Sequence, residues 1–420
     1  MSWSKNGARP CHQWLSSGLF LSIMIIAAPR SISIAGPYTE SAHGNSTAGA
    51  DRTLLNDYSP GNCSHCHEQH GSMDGQEAVP VDGVPAVFAL FTENFNDVAQ
   101  TGPYLQADNL CFSCHISAGA LQSGGGITNK QYMNVFAGYP VTYATDILGA
   151  FNLEGSYHNL YNIRNVAETR FAFFTESSNP CVACHNPHLA KRNSSQPTDP
   201  AFTAISRPAA HDELWGDGAD ERMNRYTSYR APYYSNSANT YEPGGTFTHD
   251  GTKTPDYNTF CLDCHQNQVP VSTPGVTSMN PSTPNGFLSA IDWGVSGDMH
   301  GERTRINDID GSPKNFGTVI APYNLAPVQN NYVTSCLDCH EPHGTILVSS
   351  GRSSSYLLRK EINNNVVEGC GGAAVNFCED DFCRSCHTFA HCGGPQGCFA
   401  CHYHGATNKG CGGPYNGPNF

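Results

Sequence analysis

The chain has 420 residues, of which 39% are hydrophobic and only 14% charged, against about 45–50% and about 25% in ordinary soluble domains. Its 42 glycines and 27 prolines interrupt regular structure too often for a long-helix bundle, a coiled coil or a TIM barrel. A formal net charge of −14 argues against nucleic acid and anionic membrane surfaces as partners; it suits basic partners, metal cations, mineral surfaces or plain solubility.

At the N-terminus, Lys5 and Arg9 precede an apolar run at residues 15–28 (LSSGLFLSIMIIAA), and Ser33-Ile34-Ala35 follows as a small-residue site. This order predicts a secretory signal peptide over residues 1–35. A retained membrane helix would need about 20 apolar residues, more than this run offers, and no later segment approaches a span. Cys11 leaves with the leader. Without Lys5, Arg9 and Arg30, the remainder has 19 basic against 36 acidic residues, a net charge of −17.

Seven C-x-x-C-H pentapeptides follow, here numbered motifs 1 to 7: Cys63-Cys66-His67, Cys111-Cys114-His115, Cys181-Cys184-His185, Cys261-Cys264-His265, Cys336-Cys339-His340, Cys383-Cys386-His387 and Cys398-Cys401-His402. No C-x-x-C lacks its His. This is the attachment pattern of c-type haem: two thiols add to the two vinyl groups, which places the adjacent imidazole under the iron as proximal ligand. Zinc sites combine C-x-x-C motifs in pairs without requiring the next His, and a thioredoxin-like site has one motif. An odd number of identical pentapeptides fits neither. Seven covalent haems are therefore expected.

Each iron then needs a second axial ligand. Five methionines beyond the leader (Met73, Met133, Met223, Met279, Met299) cannot serve seven irons, whereas eleven further histidines can. Bis-His ligation is the economical expectation, and it leaves the haems at lower potential than Met/His ligation would. His70, His188 and His343 each lie three residues after a proximal His, too close to reach the far face of the same porphyrin, so they are candidates for a neighbouring haem. His43, His158, His249 and His300 are the other distal candidates, with His391 and His404 behind them. His211, in AAHDEL, reads as a salt-bridged surface residue, and His65, inside its own motif, as a non-ligand.

The connectors are rich in Pro, Gly, Ser, Asn and Thr (VSTPGVTSMNPSTPNG, KRNSSQPTDP), and periodicity is weak throughout. The expected fold class is an irregular, loop-rich multihaem cytochrome with short helices at the motifs, little sheet, and a core of stacked haems. From 36 to 420 there are about 55 residues per haem, too few for separate domains. Phe112, Phe260 and Phe399, within or beside motifs, are expected to pack on the rings. A five-haem region at 36–360 is set apart from a two-haem, Cys/Gly-rich module at 361–420. That module holds Cys370, Cys378, Cys392 and Cys411, an even set that suggests two disulfides in an oxidising compartment, with a metal site including His391 as the alternative. The DIDG stretch at 308–311 lacks a full calcium ligand series and reads as a turn.

With seven C-x-x-C-H motifs and the segments CHNPH and CHEPH, the chain resembles the multihaem c-type cytochromes of metal-reducing bacteria, in which CHxPH-type histidines ligate adjacent haems. The resemblance covers nearly all of the chain beyond the leader. It implies closely stacked haems that carry electrons across the periplasm or outside the cell, with other redox proteins or extracellular acceptors as partners. Some members open, as here, with a short His segment and C-x-x-C-H-x-x-H, and polymerise into haem filaments in which the His corresponding to His70 reaches the neighbouring subunit. The chain departs from the best-known filaments in haem number and in its cysteine-rich tail. The competing expectation is a multihaem reductase acting on nitrite, hydroxylamine or a sulfur oxyanion; such catalysis needs an iron with an open position.

Overall fold

The structure, a computed structural model, describes residues 38–68, 87–96, 102–127, 144–153, 156–188, 221–231, 250–252, 254–271, 286–293, 300–301, 319–323, 332–347, 356–367, 382–387 and 404. The described residues all belong to one compact unit, Ile34–Phe420.

Among the described residues, the α-helices include α1 (Ile147–Phe151), α2 (Leu160–Arg170), α3 (Tyr257–His265) and α4 (Cys336–Cys339). Each starts where a short polar side chain takes a backbone N–H that the helix leaves unpaired. Asp146 accepts from Gly149 N at 2.6 Å, Asn159 from Asn162 N at 3.1 Å and Asp256 from Thr259 N at 3.1 Å. On α4, Ser335 and Asp338 form a reciprocal capping box. The strands are two residues long and pair antiparallel: β1 (Ser156–Tyr157) with β4 (Gly344–Thr345), β2 (Val269–Pro270) with β3 (Phe287–Leu288), and β5 (Glu361–Ile362) with β6 (Asn365–Val366). The β5–β6 turn is made by Asn363 and Asn364 at φ 48° and 63°, the left-handed pair that a two-residue hairpin requires.

The apolar interior is split into small clusters, and the motifs border them. Tyr104, Phe112, Phe151 and Leu160 form one, with Phe112 contributed from inside motif 2. Ala167 of α2, Phe171, Phe174 and Ala183 of motif 3 form another, and Cys264 of motif 4 packs against it. Leu347, Leu358, Ile362, Val367 and Phe382 make a third, against which Cys339 and Cys386 pack. Burying each Leu, Ile, Val or Phe among them contributes roughly 1.5–3 kcal/mol, so sizeable apolar gains fall beside the motifs.

Candidate functional site

Motifs 1, 2, 3, 5 and 6 each fold as a single turn, and motif 4 closes the nine-residue helix α3. The N–H of the terminal His donates to the carbonyl of the first Cys, at 2.8 Å for His67 and 2.9 Å for His115, His185, His340 and His387. Asparagines just ahead of three motifs start the turn: Asn62 accepts from Ser64 N, Asn109 from Cys111 N, and Asn179 from Cys181 N. One turn carries both thiols to one region with the imidazole next to it.

Successive motifs from 1 to 6 lie side by side in chain order. Cys66 of motif 1 neighbours Cys111 and Cys114 of motif 2. Motifs 2 and 3 meet through a buried reciprocal amide pair: Asn109 Nδ2 donates to Asn179 Oδ1 at 3.2 Å, and Asn179 Nδ2 to Asn109 Oδ1 at 3.0 Å. The Cys111 thiol there is hydrogen-bonded with Cys181, which together with burial holds it well above the usual thiol range. Cys184 of motif 3 neighbours Cys264 and Cys261 of motif 4. Motifs 4 and 5 are joined by the buried Asn258, which accepts from Cys336 N at 2.8 Å and donates to Thr334 O at 3.0 Å. Cys386 of motif 6 neighbours Cys339 of motif 5.

Six of the seven proximal histidines each face one other imidazole at nearly the same separation. Ring centroids are 6.1 Å apart for His67–His188, His43–His115 and His185–His343, 6.2 Å for His300–His387 and His340–His404, and 6.3 Å for His158–His265. For the near-parallel pairs, His67–His188 at 15° and His185–His343 at 24°, such a gap is too wide for face-to-face stacking contact. A metal ion bound about 2.0 Å from each imidazole nitrogen, with about 1.1 Å more from nitrogen to ring centre, spans about 6.2 Å. The donor set would therefore fit one metal ion held between the two rings of each pair. The interplanar angles run from 15° for His67–His188 to 83° for His43–His115, so distance, not ring stacking, is what the pairs share.

Backbone carbonyls orient these rings. His67 Nδ1 donates to Phe88 O at 2.7 Å, His43 Nδ1 to Pro187 O at 2.8 Å, His340 Nδ1 to Tyr356 O at 2.8 Å, and His158 Nδ1 to Pro342 O. A proton fixed on Nδ1 leaves the Nε2 lone pair available, the usual outer-shell arrangement of a ligating imidazole. Burial keeps the rings neutral, lowering His115, His265 and His343 to about 3 and His340 to about 4. Burial likewise pushes the thiols of Cys66, Cys114 and Cys264 up to about 11 and that of Cys339 to about 12.

The pairing follows a rule. His188 follows motif 3 and faces motif 1, His343 follows motif 5 and faces motif 3, and His404 follows motif 7 and faces motif 5. Motifs 2, 4 and 6 meet His43, His158 and His300, each from an upstream loop. Each CHxPH segment thus supplies two positions, because Pro187 and Pro342 hold His43 and His158 through their carbonyls while the next residue reaches the other motif. Repetition of CHNPH and CHEPH was the available signal for this double role. Nothing in the sequence singled out Asn109, Asn179 or Asn258.

His65 is engaged on both ring nitrogens, Nδ1 accepting from Arg52 N at 2.9 Å and Nε2 donating to Ser59 O at 3.0 Å. Phe112 packs with Tyr104 and Phe151, and Phe151 in turn lies 5.7 Å from His343. His70, His211, His249, His391, His402, Phe399, Cys398, Cys401, the DIDG stretch and the disulfide candidates Cys370, Cys378, Cys392 and Cys411 lie outside the described residues. The twelve described motif cysteines form no disulfide. Among the described residues, no helix is long and apolar enough to cross a membrane. No protein-family model, curated protein or solved structure matches the chain.

Proposed function

We propose that the chain is an exported heptahaem c-type cytochrome that carries electrons along a file of bis-His haems. The observation that carries this reading is the set of six imidazole pairs 6.1–6.3 Å apart, one for each of motifs 1 to 6. When bound, haem iron supplies one-electron chemistry. The chain's own residues do the rest: motif cysteines anchor the group, paired imidazoles fix its axis, and the Asn109–Asn179 and Asn258 contacts hold successive motifs together.

The low histidine basicities support axial ligation by neutral nitrogen, and full imidazole pairing supports low potentials. A reductase needs an iron with an open position. Every described motif whose proximal His is visible has a second imidazole facing it, which favours electron transfer over catalysis. The leader at residues 1–35 supports export to the periplasm or the cell exterior, where covalent haem attachment and oxidised tail cysteines both belong.

The pairing rule also supports the filament reading. The tail histidines of motifs 3, 5 and 7 serve the odd motif two places earlier, which leaves His70 as the tail histidine of motif 1 and His402 as the proximal residue of motif 7. Repeating the same step across a boundary between copies joins His70 of one copy to His402 of the next, with His249 of the same chain as the competing partner. Electron microscopy of the purified, haem-loaded chain tests this: filaments that dissolve in His70→Ala support it, and monomers at every concentration refute it. For the electron-transfer reading, rapid-mixing spectroscopy of the reduced chain against a soluble ferric chelate should show full reoxidation of all seven haems. Persistence of ferrous haem in the presence of chelate, but not of nitrite or hydroxylamine, would instead favour the reductase.

A further inference from the structure

We propose that Glu361 is a proton-binding site coupled to electron occupancy at motifs 5 and 6, so that the chain takes up a proton as electrons arrive there. This rests on the haem reading above and adds a chemical function to it. The β5–β6 hairpin is wedged between the two motifs. On one side, Arg359 N donates to Cys339 O at 2.9 Å and Glu341 N to Leu357 O at 2.7 Å. On the other, the Asn363 side chain donates to Ser385 O at 2.5 Å and to Ala321 O at 3.0 Å. Ile362 and Val367 belong to the apolar cluster against which Cys339 and Cys386 pack.

Within this wedge Glu361 is 3% exposed, and its Oε1 has no hydrogen-bond partner. An ionised carboxylate in that position is costly unless paired. Of the charged groups on the packed elements, Arg359 pairs with Glu341 at 2.7 Å and Asp338 caps Ser335 N at 2.7 Å. Among the described residues, Lys360 adjoins Glu361 in the chain, Arg384 lies within motif 6, and Tyr323, Tyr332, His340 and His387 are further titratable groups of the neighbouring elements. Burial raises the Glu361 carboxyl to about 7, so the acid and its carboxylate are both accessible near neutrality.

The step balances simply. A ferric haem, an electron from a reduced donor, the Glu361 carboxylate and a proton from water become a ferrous haem and a neutral carboxylic acid. The added negative charge on the haem favours the protonated acid, and by linkage the bound proton favours the reduced haem.

The test is a spectroelectrochemical titration of the full haem-loaded chain, with dithionite as reductant, between about pH 6 and 8. The wild type should show haem potentials that fall as pH rises, and Glu361→Gln should lose that component while keeping its visible spectrum and haem content. An unchanged slope in the loaded variant overturns the proposal and leaves the haem reading intact; a wild-type chain without covalent haem overturns both. Should the variant fail to load, reduction-minus-oxidation infrared spectra of the wild type decide. A protonated-carboxyl band that grows on reduction near neutral pH is expected, and its absence contradicts the proposal.

Discussion

His158 donates from Nδ1 to the carbonyl of Pro342, 184 residues further along the chain, while its ring centre lies 6.3 Å from that of His265. The next residue, His343, faces His185 of motif 3. A single CHEPH segment therefore organises the second imidazole at two different motifs. Because the acceptor on Pro342 is a main-chain carbonyl, its side chain is the less critical part. Pro342→Ala should leave the ferric spectrum low-spin, whereas His343→Ala should turn one haem in seven high-spin. Visible and electron paramagnetic resonance spectra of the two loaded variants check this.

Asn258 caps motif 5 from motif 4 and is fully buried. Asn258→Ala removes an acceptor for Cys336 N and a donor for Thr334 O at once. An orphaned buried backbone group costs about 1–3 kcal/mol, so chemical denaturation should show a loss in that range, larger than for Asn62→Ala beside the exposed Cys63.

The pH dependence of stability follows from Glu361. Its folded carboxyl titrates near 7, against an ordinary 4.5, so between those values the folded chain binds more protons than the unfolded one. Stability is fully present below about pH 4.5 and is lost as pH rises through 7, by about 3 kcal/mol from this group. Glu361→Gln should flatten that part of the stability profile. Urea midpoints measured at closely spaced pH values would reveal it; an identical fall in the variant would show that other groups are responsible.

The tail makes a chemical prediction. Thiol labelling of the unfolded chain should modify none of the fourteen motif cysteines, and Cys370, Cys378, Cys392 and Cys411 only after reduction. Four reactive thiols without reductant would favour a metal site with His391.

How much of this was readable beforehand depends on distance along the chain. The seven motifs and the histidine pool are local patterns, visible in five to eight consecutive residues. The partnership of those histidines is not local. His43 meets His115 and also Pro187, 144 residues away, and that return is set by how loops of irregular conformation close. The apolar clusters are equally hard to read, because Leu358, Ile362 and Phe382 come from segments without helical or alternating periodicity. In the sequence Asn258 is one polar residue among many, and only its two bonds to motif 5 distinguish it.

The central claim is that facing histidines 6.1–6.3 Å apart each hold one haem iron between them. Near-infrared magnetic circular dichroism of the ferric, haem-loaded chain reports axial ligands directly. The account predicts the bis-imidazole, low-spin signature for at least six of the seven haems. A Met/His signature, or high-spin iron at more than one haem, would contradict it.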